Sequence, residues 1–215
     1  GLYYQDSEMY VDGLTQFNVL AIDALLGGTC AALPGGQGAV VIGDPVATAI
    51  GTAALPGAII IGTLGNSALI AELVNRGKLS TDLLTGKREK FHLTVVDDPL
   101  PGVDRALVIV GSDKRGTIYG LYELAEQIGV SPWHWWADVP VKQQPVLWIQ
   151  PGRRLVGPPK VKYRGIFIND EMWGIRPWPA GTFAPDEGQG LGPKTHQKIF
   201  ELLLRLRASY IWTAL

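Results

Sequence analysis

The sequence predicts an α/β fold laid out as two successive units. Three observations carry this. Short apolar runs close on glycine at Ala39 to Gly43, Ala58 to Gly62 and Ala106 to Gly111, as buried strands do. Helical stripes fall between and after them, so strands and helices alternate as they do around a mostly parallel or mixed sheet. Beyond a proline-rich connector, a second strand–loop–helix–strand pattern begins near Val161.

In chain order, residues 18–26 carry a short helical pattern that Gly27-Gly28 stops. Ala39 to Gly43 is the first strand and Ala58 to Ile61 the second. Asn66 or Ser67 then caps a helix, because a short oxygen-bearing side chain there accepts from the free N–H groups of the first turn. Leu69, Ile70, Leu73 and Val74 follow at helical spacing. Phe91 to Val96 alternates like a half-exposed strand, and Ala106 to Val110 is continuously apolar. In the clearest helix of this half, Ile118, Leu121, Tyr122, Ala125 and Ile128 form one stripe. Gly129 stands where a left-handed C-cap belongs. Pro145, Pro151, Pro158 and Pro159 mark a connector in which no helix propagates.

In the second unit, Lys162 to Ile168 reads as a strand and Gly174 to Pro193 as a glycine- and proline-rich loop. Thr195 to Arg207 is a helix with Ile199, Leu202, Leu203 and Leu206 on one face, and Ser209 to Ala214 is the next strand. The expected limits are an α/β domain at 1–145, a linker at 146–160 and a second domain at 161–215. One β/α unit of this size neither closes a barrel nor buries both faces of its own sheet.

Of the 215 residues, 47% are hydrophobic and 18% charged, a composition that offsets ordering entropy and excludes disorder. A formal net charge of −1 supplies no field toward nucleic acid or an anionic membrane, so neither is an expected partner. The longest apolar stretch, Ala54 to Ile61, contains Pro56 and Gly57 and falls far short of the roughly 20 residues of a helical span. The lone cysteine, Cys30, excludes an intramolecular disulfide and reads as a small buried apolar residue. The start, Gly1-Leu2-Tyr3-Tyr4, lacks the basic-then-apolar pattern of a signal peptide, and its first residue is not Met, as in a mature form or a fragment.

Four places could carry chemistry. Gly111-Ser112-Asp113-Lys114-Arg115-Gly116, between a strand and a helix, is either an anion-binding turn or an ordinary helix entry capped by Ser112 or Asp113. It lacks the Gly-Lys-Ser/Thr close of a phosphate loop. Trp133-His134-Trp135-Trp136-Ala137-Asp138 puts three indoles in four residues, which either pack between domains or line a groove where flat sugar faces stack. His134 has no metal-ligand partner at a useful spacing. Asn169-Asp170-Glu171 places two acids at the carboxyl end of a strand, where β/α folds collect active residues; the alternative is a solvated loop. Glu126 falls on the flank of the Ile118 stripe and Glu123 points further out, so Glu126 is the acid more able to enter a groove.

Together these segments resemble glycoside hydrolase family 115. The resemblance rests on GSDKRGTIYGLYELAEQIGVSPWHWWADVPVK (Gly111 to Lys142), VKYRGIFINDE (Val161 to Glu171) and FELLLRLRASYIW (Phe200 to Trp212). IIIGTLGNS from Ile59 and DPLPGVDRALVIVGSD from Asp98 fit the same family. The resemblance implies a small α/β N-terminal domain followed by the start of a (β/α)8 TIM barrel. It also implies removal of α-1,2-linked glucuronic acid, or its 4-O-methyl ether, from glucuronoxylan with inversion, and no metal or organic cofactor. Inverting hydrolysis uses an acid and a base roughly 6.5–9.5 Å apart, with water between the base and the sugar.

Carried over residue by residue, Asp170 matches an acid at the end of the first barrel strand and Glu126 a glutamate of the first domain. Lys114 and Arg115 would meet a uronate carboxylate, with Asn169, Glu171, Trp136 and Trp173 on the substrate side. The acid/base pair itself is expected on later strands, beyond residue 215. An extracellular address and a homodimer of the full-length protein are further expectations from the family. Met172-Trp173 departs from the small residues and proline usual after the acids, and the end at Ile211 to Leu215 loses the usual proline and aromatic. A non-catalytic xylan- or oligosaccharide-binding remnant is the alternative reading, and a nucleotide-binding module on the Gly111 turn is disfavoured by its motif.

Overall fold

The computed structural model describes residues 39–42, 58–141, 152–169 and 171–213. The helical pattern at 18–26, Cys30, Pro145, Trp148, Pro151 and Asp170 lie outside the described residues. The chain divides into two compact units, one formed by Gly1–Ser131 with Val139–Pro159, the other by Pro132–Asp138 with Lys160–Leu215.

The first unit is built on a mixed sheet. Its strands are β1 (Ala39–Ile42), β2 (Ala58–Thr63), β3 (Phe91–Leu100), β4 (Val103–Gly111) and β5 (Arg153–Val156), with helices α1 (Ala68–Asn75) and α2 (Lys114–Gln127). The order across the sheet is β1-β2-β4-β3-β5. β1, β2 and β4 run parallel, and β3 runs antiparallel to both its neighbours. β4 is central, which explains its unbroken apolar run: Val108, Ile109 and Val110 are all at 0% exposure. Successive strand residues face opposite ways. Val108 and Val110 accordingly join Ile60 in a core with Leu69, Ile70 and Leu73 of α1. Ile109 and Phe91 receive α2 on the opposite face, where Gly120 brings the helix backbone close.

The caps form as the side-chain chemistry requires. Ser67 is the N-cap of α1, its hydroxyl accepting from the Ile70 N–H at 3.3 Å. Gly129, with φ +100°, follows α2 in the left-handed region.

Two expectations need correction. β3 is not half exposed: Phe91, His92, Leu93 and Val96 are buried, because β3 lies inside the sheet between β4 and β5. The stretch read as a linker also contributes a strand, β5, which pairs antiparallel with β3 from Phe91↔Val156 to Thr94↔Arg153.

In the second unit, β6 (Gly165–Ile168) and β7 (Tyr210–Thr213) pair in parallel, and α3 (Pro193–Arg205) precedes β7. β6 is shorter than the expected 162–168. Arg164 instead turns its guanidinium back onto the carbonyls of Arg207, Val161 and Lys162, and its own carbonyl accepts from the Ser209 and Tyr210 N–H groups. The β6–α3 loop is ordered by one π-helical turn at Pro179–Phe183 and a 3-10 turn at Pro185–Glu187. Tyr163, Phe167, Tyr210 and Trp212 remain exposed along one face of the two strands.

Candidate functional site

In the first unit, the turn after β4 is a tightly specified helix entry. Asp113 caps α2, one carboxylate oxygen accepting from the Gly116 N–H at 2.8 Å and the other from the Glu89 N–H at 2.7 Å. The Ser112 hydroxyl accepts from the Lys90 N–H at 3.0 Å, and the Ser112 N–H donates to the Lys90 carbonyl at 2.8 Å. A Cβ at Gly116 would strike that same carbonyl, so only glycine lets α2 start here. The motif therefore clasps Glu89-Lys90, and the Ser112 and Gly116 N–H groups that an anion would meet are already taken by the Lys90 carbonyl and the Asp113 carboxylate.

Of the two cations, Lys114 is exposed, whereas Arg115 donates to Glu89 Oε1 at 2.9 Å. That hydrogen bond raises the Arg115 pKa against the opposing effect of partial burial. Glu89 was not visible as a partner in the sequence: it precedes β3 in no motif, and it holds a left-handed backbone at φ +51°.

The two α2 acids exchange the places expected for them. Glu123 is 3% exposed, forms an ion pair with Arg154 of β5 and accepts from Gln127 Nε2 at 2.7 Å. Glu126 is exposed on the last turn. A single-stripe reading fails because every residue from Ile118 to Ala125 is buried. Gly120 lets the helix approach the sheet so closely that its flanks are covered too.

In the second unit, Asn169 and Glu171 follow β6 directly and are exposed. Asn169 Nδ2 donates to Glu171 Oε1 at 2.6 Å, and the Glu171 N–H returns to the Asn169 carbonyl at 2.9 Å. This closed turn fixes the direction of one carboxylate at the strand's carboxyl end. Asp170, between them, lies outside the described residues. Met172 and Trp173 follow at 64% and 87% exposure.

The tryptophan run belongs to this unit. Trp135 and Trp136 are half-buried, with ring centroids 4.8 Å apart, and both meet Trp178 of the β6–α3 loop. Phe183 completes the group, stacked on Trp178 at 5.3 Å. A shallow pocket lies between Trp135, Trp136 and the α3 residues Lys198, Glu201 and Arg205, with His134 also in its lining. Arg205, 5% exposed, is neutralised by Glu201 at 2.8 Å. That pair sits at the i,i+4 spacing and could have been found from the sequence. Among the described residues, no cluster of three His, Cys, Asp or Glu side chains could hold a metal, and no helix is long and apolar enough to cross a membrane.

An acid turn thus stands at a strand's carboxyl end beside an exposed indole, and the proteins to which this chain is similar are glycoside hydrolases. Residues 156–215 match the model of glycosyl hydrolase family 115. A solved family 115 4-O-methyl-α-glucuronidase, described as specific for decorated arabinogalactans, is similar over 95% of this chain at 34% identity with a TM-score of 0.70. The chain spans 23% of the length of that structure. No curated protein sequence matches.

Proposed function

We propose that this chain forms the uronate-side wall of an α-1,2-glucuronidase that removes (4-O-methyl)glucuronic acid from glucuronoxylan with inversion. The observation that carries the reading is the Asn169–Glu171 turn at the end of β6, inside the segment that matches the family. Hydrolysis of this kind needs carboxylates held in fixed directions, one to protonate the leaving oxygen and one to activate water. Asp170 is the carboxylate assigned to the uronic acid or to support of the reacting pair, and Asn169 and Glu171 frame it. Trp173, almost fully exposed, offers an indole face to a sugar ring.

Lys114 and Arg115 are the cations assigned to a uronate carboxylate by the resemblance; both are exposed, and Arg115 also donates to Glu89. The role of Glu126 rests on the resemblance alone. Residues 161–213 are read as the opening of a (β/α)8 barrel, a reading supported by the parallel β6–β7 pair with α3 between its strands in sequence.

The test is to incubate a longer protein that joins this chain to the later barrel strands with glucuronoxylan and, separately, with decorated arabinogalactan, and to measure released 4-O-methylglucuronic acid. Release from glucuronoxylan that falls at least about 100-fold in Asp170→Asn supports the reading. Release from arabinogalactan alone would refute the xylan assignment. The exposed Trp173 also favours a second reading, a non-catalytic glycan-binding module. Binding of the oligosaccharide without any release, by a protein in which this chain is joined to the later barrel strands, would establish it.

A further inference from the structure

The tryptophan run and the β6–α3 loop are far apart in sequence but form one aromatic cluster. Residues 133–137 make a single helical turn, closed by the Ala137 N–H on the Trp133 carbonyl at 2.9 Å and ended by Asp138 at φ +49°. That turn directs Trp135 and Trp136 at Trp178 and Phe183. Trp135 meets Trp136, Trp178 and Phe183 at interplanar angles of 86°, 80° and 73°. Lys198 Nζ lies 5.2 Å from the Trp135 ring centroid, and Trp136 Nε1 donates to the Lys198 carbonyl at 3.3 Å. Edge-to-face rings and a cation occupy the surfaces on which a sugar would have to stack.

The partners in the loop are equally fixed. Pro179 and Ala184, at the two ends of the π-helical turn, are buried, and the Ala184 N–H donates to the Pro179 carbonyl at 2.7 Å. The same loop carries Trp173 at its other end, 87% exposed.

We propose that Trp135 and Trp136 are positioning residues: they pin the β6–α3 loop to α3 so that Glu171 and Trp173, at its β6 end, are presented to the glycan. This deepens the proposed function and rests on it for the identity of the ligand. It replaces the idea that Trp136 itself contacts sugar. The strap fixes the loop, and the exposed indole reads the carbohydrate.

The experiment uses the full chain and a xylo-oligosaccharide bearing 4-O-methylglucuronic acid. Hydrogen exchange is followed in peptides covering 174–192, and affinity by calorimetric titration. Trp136→Ala is expected to speed loop exchange and to weaken affinity, each about tenfold, the scale of one or two lost aromatic contacts. Trp136→Phe keeps a ring against Trp178 and is expected to rescue both to within about threefold. Trp173→Ala is expected to lose affinity with loop exchange unchanged. Lys198→Met, a variant with α3 intact, is expected to raise loop exchange about two- to threefold.

Affinity lost in Trp136→Ala with loop exchange at the wild-type rate would overturn the proposal, because Trp136 would then be touching sugar. Faster loop exchange with affinity intact would also overturn it, since the loop would not present the binding groups. A wild-type protein that does not bind the oligosaccharide would refute the glycan reading instead. In that case the exchange rates of the two Trp136 variants still decide whether the strap holds the loop.

Discussion

β4 and β6 are written in the same chemical language and end in different surroundings. Val108-Ile109-Val110 lies at 0% exposure, whereas Ile166 and Phe167 are exposed by 43% and 55%. Continuous apolar strands suit sheets covered on both faces. β4 has strands on both edges and a helix against each face. β6 has one strand neighbour, β7, and the face of the pair that bears Phe167 and Trp212 is open among the described residues. A sequence pattern records the surroundings a strand is suited to, and only neighbours decide whether it has them.

The sharpest way to break this comparison is by truncation. Ile109→Ala is expected to destabilise the first unit by about 2–5 kcal/mol through lost burial and an unfilled cavity. Phe167→Ala, at a position half in water, is expected to cost under about 1 kcal/mol. Chemical denaturation of both variants checks this, and equal losses would show that the β6 face is covered in solution.

A smaller effect is expected where the first unit holds a charge inside. Arg154→Ala removes the cation paired with the buried Glu123 carboxylate and loosens β5 from α2. Because Arg154 is 55% exposed, water screens the pair, and the expected cost is about 1 kcal/mol. Arg154→Lys should recover part of it, and thermal unfolding of the three proteins would measure the difference.

The smallest effect is a pH dependence. Burial, with Arg153 and Lys90 nearby, lowers the His92 pKa below its ordinary value of 6.5. The folded state then binds fewer protons than the unfolded chain just below that value. His92 therefore costs no stability above about pH 6.5, and stability falls as the pH drops toward the lowered pKa. His92→Phe is expected to flatten that acid-side slope in denaturation curves at pH 5 to 7, and an unchanged slope would assign it to other groups.

Much of the first unit was legible because local rules and surroundings agree there. Glycine-closed apolar runs gave β2 and β4, and Ser67 and Gly129 stand at helix ends whose backbone geometry requires them. β5 was not legible: Arg153-Arg154-Leu155-Val156 is short and half charged, and it is a strand because β3 offers it an open edge. Glu123 was misplaced for a related reason, since a helix drawn close by Gly120 buries its flanks and so can hold a carboxylate inward against β5. At the candidate site, the sequence located the acid turn but not its inner bond from Asn169 to Glu171. Nor did it show that Arg115 is occupied by Glu89, because both depend on backbone paths that no spacing rule encodes.

The division of the chain has a consequence for its synthesis. The boundaries between the units fall at 131/132, 138/139 and 159/160, so the chain passes from one to the other three times. During translation the first unit receives its last strand only after the tryptophan strap has emerged. Trp136 then waits for Lys198, 62 residues later. At about 5–20 residues per second, the Trp136–Lys198 bond is delayed by roughly 3–12 s on the ribosome. For that interval the strap is apolar surface of the kind that nascent-chain chaperones shield.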